Sequence, residues 1–148
     1  MKHAVLDRSF PIDPAGLLPP ITADNAPFWD GLAQGRLMLQ QCPSCRRLRY
    51  PIAPVCPVCG GTEIAWAEMS GCGKVFSWVR YHRSYLPEFA DRLPYVVALV
   101  ELDEGVRLFG CLVDRDADPF IDQPVKLVIE RWPGGRCVVS FTPAGADQ

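Results

Sequence analysis

Cys42-Pro43-Ser44-Cys45 and Cys56-Pro57-Val58-Cys59 are two Cys-x-x-Cys turns joined by residues 46–55, and the rest of the chain can be organised around them. In such a turn both sulfurs lie on one side of the loop, and two facing turns complete a tetrahedron of thiolates around zinc. With sulfur at all four positions no coordination site stays open for water or substrate, so the predicted role of Cys42, Cys45, Cys56 and Cys59 is structural. Binding free energy on the order of 10 kcal/mol in small zinc domains would then act as folding free energy for a segment too short to fold alone.

On the C-terminal side the pattern changes at Ser70. Segments near 74–82, 95–102, 106–113, 125–132 and 137–142 are rich in Val, Leu, Ile, Phe and Trp, and Asp103-Glu104-Gly105 and Pro133-Gly134-Gly135 punctuate them. Five consecutive short strands predict a small closed barrel. The longer first connection, Arg83 to Pro94, points to an OB-type Greek-key barrel, and strand counting leaves an SH3-like barrel open. Tyr95-Val96-Val97-Ala98-Leu99-Val100 is nearly all apolar, as expected of a strand covered on both faces, whereas Val125–Glu130 partly alternates.

On the N-terminal side, Asp24 or Asn25 can cap a short helix with Pro27 in its first turn, an apolar face of Phe28, Trp29 and Leu32, and Gly35 at its end. Phe28 and Trp29 suit either core packing or the docking of a partner. Before them, Pro11, Pro14, Pro19, Pro20 and Gly16 interrupt regular structure, which predicts an extended arm. The expected organisation is therefore mainly β: an arm over 1–23, a helix with zinc ribbon over 24–69, and a five-stranded OB-type barrel over 70–148.

Composition agrees with one compact unit. The chain has 148 residues, 49% hydrophobic and 22% charged, with a net charge of −2. A chain of this size buries roughly 70% of its unfolded surface, which suffices for one core and not for two independent ones. No stretch approaches the ~20 apolar residues of a membrane span, and the charged start Met1–Arg8 lacks the apolar run of a signal peptide. Together with Cys-Pro-x-Cys pairs read as metal ligands, this predicts a cytoplasmic protein without membrane association. Of the seven cysteines, Cys72, Cys111 and Cys137 stand apart and are read as small core residues.

Charge is unevenly spread. Between Gly31 and Thr62 there is no acid against Arg36, Arg46, Arg47 and Arg49, and between Met69 and Pro87 there is none against Lys74, Arg80, His82 and Arg83. These segments are either ordinary solvated faces or a site for an anionic group such as phosphate. Zinc ribbons and OB barrels both serve nucleic-acid binding, but a pI of about 5.6 argues against a surface that tracks phosphates. Neither His3 nor His82 sits in a Ser, Cys or Asp pattern that would form a catalytic set; His82 with Asp91 or Glu88 lacks a nucleophile and an orienting group.

The order of Phe28-Trp29, Gly35-Arg36-Leu37, the two knuckles, Trp66, Ser70-Gly71, Gly73, Val75, Ser77, Pro94–Leu102 and Gly105–Gly110 resembles the thiolase-associated family that joins a rubredoxin-like zinc ribbon to an OB fold. The likeness runs from about residue 24 to 143. It implies a non-catalytic accessory subunit of acyl-CoA metabolism that binds or channels a CoA thioester. It also implies assembly with a thiolase-fold enzyme (a thiolase, aldolase or synthase) or with a hydratase, including enzymes that shorten steroid side chains. Catalytic groups would belong to the partner, and no catalytic residue is carried over. This chain has Arg46 where a glycine is common, and Tyr50-Pro51-Ile52-Ala53-Pro54 in place of the usual Pro-Pro-Arg run, so Arg47 and Arg49 become candidates for the missing arginine. The candidate ligand-binding set is Arg47, Arg49, Trp78, Arg80, Tyr81, His82 and Arg83, with phosphates meeting the cations, adenine stacking on Trp78 or Tyr81, and the acyl arm between ribbon and barrel. Phe28 and Trp29 are the candidate partner contacts, and nucleic-acid binding is the alternative function.

Overall fold

The computed structural model describes residues 2–145, so the first residue of the predicted arm and the last three of the predicted barrel lie outside the described residues. Its strands are β1 (Val5–Asp7), β2 (Met38–Gln41), β3 (Leu48–Arg49), β4 (Ala65–Glu68), β5 (Cys72–Tyr81), β6 (Tyr95–Leu102), β7 (Arg107–Leu112), β8 (Pro124–Arg131) and β9 (Cys137–Pro143), with one α-helix, α1 (Ala26–Ala33). No helix among the described residues is long and apolar enough to cross a membrane.

Helix α1 ends as its sequence requires. Gly35 takes φ 79°, and Gly35 N donates to Leu32 O while Arg36 N donates to Gly31 O, closing the left-handed C-terminal cap that glycine supplies without steric cost. At the other end Asn25 occupies the cap position, but its Oδ1 accepts from Thr22 N at 2.7 Å and its Nδ2 donates to Pro20 O at 3.1 Å. Asn25 thus braces the incoming arm rather than the first turn of the helix.

Strands β5, β6, β7, β9 and β8 pair in that cyclic order and close on themselves through β5 and β8. All neighbours are antiparallel except β7 and β9, which run parallel. That parallel pair, reached by carrying β8 across the barrel before β9 returns beside β7, gives the OB connectivity and settles the choice that strand counting leaves open. One β-bulge falls between Val75 and Ser77, and it frees Phe76 from the ladder and turns the strand.

The two strand patterns are distributed differently from their sequence reading. On β6, Val96, Ala98, Val100 and Leu102 fill the barrel while Tyr95, Val97, Leu99 and Glu101 are half-buried on its outer face, so the apolar run alternates after all. On β8, residues 127–130 are all buried. The reason is the arm. β1 pairs in parallel with Ile129, Glu130 and Arg131, extending the sheet along the part of β8 that β5 leaves unpaired. Beyond β1, Phe10 packs edge-on against Trp132 at 4.7 Å and Phe89 at 5.9 Å. The arm is therefore a working part of the barrel wall, because strand β8 supplies the hydrogen-bonding edge that a Pro-rich segment cannot make for itself.

Ribbon and barrel share one core: Phe28, Leu32, Leu37, Leu39 and Met69 belong to the same buried cluster as Val75, Val96, Leu127 and Phe141. Of the three cysteines expected to be core residues, Cys137 is buried and Cys111 half-buried, but Cys72 is exposed. Cys72 opens β5 opposite Lys126 on the outer side of the sheet, and alternation along the strand leaves it no inward position.

Candidate metal centre and ligand surfaces

The ribbon is a three-stranded antiparallel sheet in the order β3-β2-β4. The first knuckle forms the β2–β3 turn and the second lies in the long connection before β4. Both fold alike. Arg46 N donates to Cys42 O at 2.8 Å and Cys42 N to Arg47 O at 2.9 Å; Gly60 N donates to Cys56 O at 2.9 Å and Cys56 N to Gly61 O at 2.8 Å. These paired bonds curl each loop so that its two sulfurs face the other loop. The four Sγ atoms lie within 4.8 Å of one another, with Cys42 to Cys59 at 3.5 Å and Cys45 to Cys56 at 3.6 Å. A zinc tetrahedron with Zn–S bonds of about 2.3 Å has sulfur–sulfur edges of about 3.8 Å, so the donor set fits that ion, and four thiolates leave no open position.

Backbone amides prepare the sulfurs. The N–H groups of Cys59 and Val58 point at Cys56 and hold its thiol down to about 6. Those of Cys45 and Ser44 lower Cys42 against the opposing effect of burial. At Cys59 the Gly61 amide also favours the thiolate, but the Cys42 thiol, burial and the remaining cysteines outweigh it and push the group up to about 11. Four like charges cannot gather here without a cation, which is the electrostatic reason for a divalent metal. Gly61, which the sequence reading did not single out, lies against the sulfurs: a Cβ there would stand 3.3 Å from Cys59 Sγ and 3.6 Å from Cys42 Sγ. The Gly60-Gly61 pair just after the second knuckle was the available signal.

The residue after each knuckle is left-handed, with φ 65° at Arg46 and 74° at Gly60. A side chain in that region costs about 1–2 kcal/mol, while glycine costs about 0.4–1 kcal/mol through its freer unfolded state. Arg46→Gly is accordingly expected to stabilise the zinc-loaded protein by about 0.5–1 kcal/mol, read from denaturant midpoints at unchanged zinc stoichiometry. An unchanged or lowered midpoint would show that the Arg46 side chain contributes contacts worth more than its backbone strain.

The other predicted site residues are scattered. Arg49 is only 6% exposed; its Nε donates to Gln40 Oε1 at 3.0 Å, and the Ala53 amide donates to the same oxygen at 2.9 Å. Its two terminal nitrogens are buried and unavailable to a ligand arriving from solvent. Arg47 is exposed. Trp78 packs against the core, and Arg80 lies 6.0 Å from its ring while donating to the carbonyls of Arg115 and Ala117. Tyr81 stacks on Tyr95 at 4.9 Å, which uses one of its faces. His82 and Arg83 are exposed, Arg83 lying 5.7 Å from the ring of Tyr85. Among the described residues no hydrogen bond or ion pair joins His82 to Asp91 or Glu88, and none joins the ribbon arginines to His82 or Arg83. Phe28 is 5% exposed and is a core side chain, so it offers little to a partner; Trp29 is half-buried beside it, with Arg136 lying 4.5 Å from its ring.

Comparison with known proteins agrees with this architecture. Residues 29–65 match the model of the ChsH2 rubredoxin-like zinc ribbon domain, and residues 66–130 match that of the ChsH2 C-terminal OB-fold domain. A probable enoyl-CoA hydratase alpha subunit from Thermomonospora curvata is 43% identical over 110 residues, 74% of this chain and 34% of that protein. The 3-oxo-4,17-pregnadiene-20-carboxyl-CoA hydratase alpha subunit of Mycobacterium tuberculosis is 36% identical over 126 residues, 82% of this chain and 39% of that protein. The chain thus spans little more than a third of the length of these two relatives. A solved chain of an Ltp2-ChsH2(DUF35) aldolase superposes with a TM-score of 0.77 at 38% identity, covering 86% of this chain and 99% of that one. This chain therefore belongs to the DUF35 family of ChsH2-type proteins, in which a rubredoxin-like zinc ribbon is joined to an OB-fold domain.

Proposed function

We propose that this chain is a non-catalytic accessory subunit that assembles with a thiolase-fold or hydratase enzyme in a reducing, cytoplasmic setting and helps to bind or pass on its CoA thioester. The observation that carries the reading is the outer face of β5, β6 and β7. Ser77, Leu99 and Phe109 stand side by side across the three strands, as do Val79, Val97 and Cys111, and Phe76 projects beside them from the bulge. Phe109 is 64% exposed and Val79 48%. OB folds use this side of the barrel for ligands, and those that take nucleic acid line it with unpaired cations among the aromatics. Here the two cations of the face are neutralised: Lys74 pairs with Asp122 at 3.2 Å and Arg107 with Glu101 at 2.8 Å. An apolar, charge-balanced sheet face suits a protein surface better than a polyanion. Within this reading Arg47, His82 and Arg83 are the exposed members of the candidate set for thioester contacts, and Trp29 is the candidate docking aromatic.

The test is recovery of partners on the tagged, zinc-loaded chain, identification of protein and nucleic acid together, and remixing of the purified components. A thiolase-fold or hydratase enzyme should be recovered, and its acyl-CoA turnover should rise on remixing. Phe109→Glu removes no core packing and should weaken that association at least about tenfold, as expected when a charge is buried in an apolar interface. Recovery of nucleic acid that resists moderate salt, with no such enzyme, would replace this function by nucleic-acid binding.

A further inference from the structure

A second set of charged groups meets where the arm crosses the barrel, away from the four sulfurs. Glu130 on β8 is 3% exposed and is held from both sides, by Arg8 Nη2 at 3.2 Å and Arg92 Nη2 at 3.4 Å. A buried carboxylate persists in such a place only when guanidinium groups compensate it. The compensation is lopsided, however. Arg115, fixed by its Nη1 donating to Asp91 O at 2.7 Å, lines the same cavity, which has a volume of about 250 Å³. Arg8 and Arg92 against one buried carboxylate leave one positive charge, and Arg115, exposed to solvent, adds a second at the cavity's edge. Asp7 is committed to Arg131 at 3.2 Å, and water screens the exposed Asp91 and Arg115 alike. Arg8 Nε is buried and donates to nothing. Cys111, which also lines the cavity, brings no charge: burial, and then the charge of Glu130, push its thiol up to about 11, so it stays protonated.

We propose that this cavity is an oxyanion site whose ligand is a phosphate group, free or as a monoester, gripped by Arg8, Arg92 and Arg115. Phosphate carries about −1.5 to −2 charges at pH 7, enough to neutralise the excess left by Arg8 and Arg92 together with Arg115 at the edge, and its tetrahedral oxygens suit the planar fork of guanidinium donors. Arg92 is held in position for this by the rings of Phe10 and Phe89, 4.5 Å and 5.3 Å from its guanidinium carbon. The arm contributes Arg8 and Phe10, so the site exists only when β1 is docked on β8.

The experiment titrates the isolated zinc-loaded chain with inorganic phosphate, glycerol 3-phosphate and acetate by calorimetry. Saturable binding of one phosphate or ester per chain is expected, with acetate at least about tenfold weaker. An ester that binds more than tenfold tighter than inorganic phosphate identifies a monoester as the ligand; the reverse order identifies free phosphate. Arg115→Gln, which breaks no buried ion pair, should weaken binding at least about tenfold. Arg92→Lys, which keeps the charge beside Glu130 and loses the fork, should weaken it as well, and Arg107→Gln on the outer sheet face should leave it unchanged. Absence of saturable binding up to about 10 mM, or affinity indifferent to Arg115→Gln, would overturn the site. No partner enzyme or thioester takes part in the assay, so its failure is distinguishable from failure of the accessory function.

Discussion

Cys42→Ser is expected to release the metal and melt the ribbon while much of the barrel stays folded. Cys42 is fully buried, and its sulfur stands 3.5 Å from Cys59 and within 4.8 Å of the other ligands, so no neighbouring side chain can replace it. The ribbon has only three short strands, one of them two residues long, and little apolar surface of its own. Without a contribution on the order of 10 kcal/mol from the metal it lacks the means to hold its two loops together. Zinc content should fall from one per chain to near zero, and amide protection should vanish across β2, β3 and β4. Protection should persist in β6, β7, β8 and β9, though lowered, because Leu37 and Leu39 leave the core they share with the barrel. One zinc retained per Cys42→Ser chain, with β2–β4 still protected, would contradict a structural tetrathiolate site.

Gly73→Ala is expected to destabilise the barrel by about 3 kcal/mol, a fall in Tm of about 10 °C for a chain of this length. Gly73 is where β5 is paired on both sides at once, with Leu102 of β6 and Val125 of β8. A Cβ there would stand 2.4 Å from Glu101 O and 2.9 Å from Leu102 Cα, both backbone atoms that can yield only by moving a strand. The contrast is Gly105 in the β6–β7 turn. It has φ 90°, and a methyl group added there would meet no heavy atom within 4 Å, so Gly105→Ala should cost only about 1 kcal/mol of backbone strain. Equal midpoints for Gly73→Ala and the unaltered protein would mean that β5 is not clamped between two neighbours.

Much of this was legible along the chain. Metal ligation depends on residues within two short loops, so spacing alone identified the four sulfurs. The barrel strands were likewise visible, each within two residues of its expected limits, because period-2 alternation and turn residues are local signals. Gly35 announced the end of α1 for the same reason. The ligand-binding set fared differently, since burial belongs to the assembled molecule: the same arginine-rich segment supplied Arg47 to solvent and Arg49 to the inside of the ribbon. Phe28 and Trp29, adjacent and both aromatic, separated into a core side chain and a half-exposed one simply because a helix turns about 100° between them.

Local spacing and periodicity thus sufficed for the zinc ribbon, the helix and the existence of five barrel strands. The closure of those strands came from contacts no local pattern encodes: the parallel β7–β9 pair that distinguishes an OB barrel, and the pairing of β5 with β8 across more than forty intervening residues. So did the fate of the arm, whose prolines made it read as an unpaired extension. Val5–Asp7 found an open edge on β8, and Arg8 and Phe10 found Glu130 and Trp132 at the opposite end of the chain. Hydrogen-bonding edges and buried carboxylates acquire partners only when distant segments are brought together, and that is why the apolar sheet face and the arginine-lined cavity emerged with the tertiary fold.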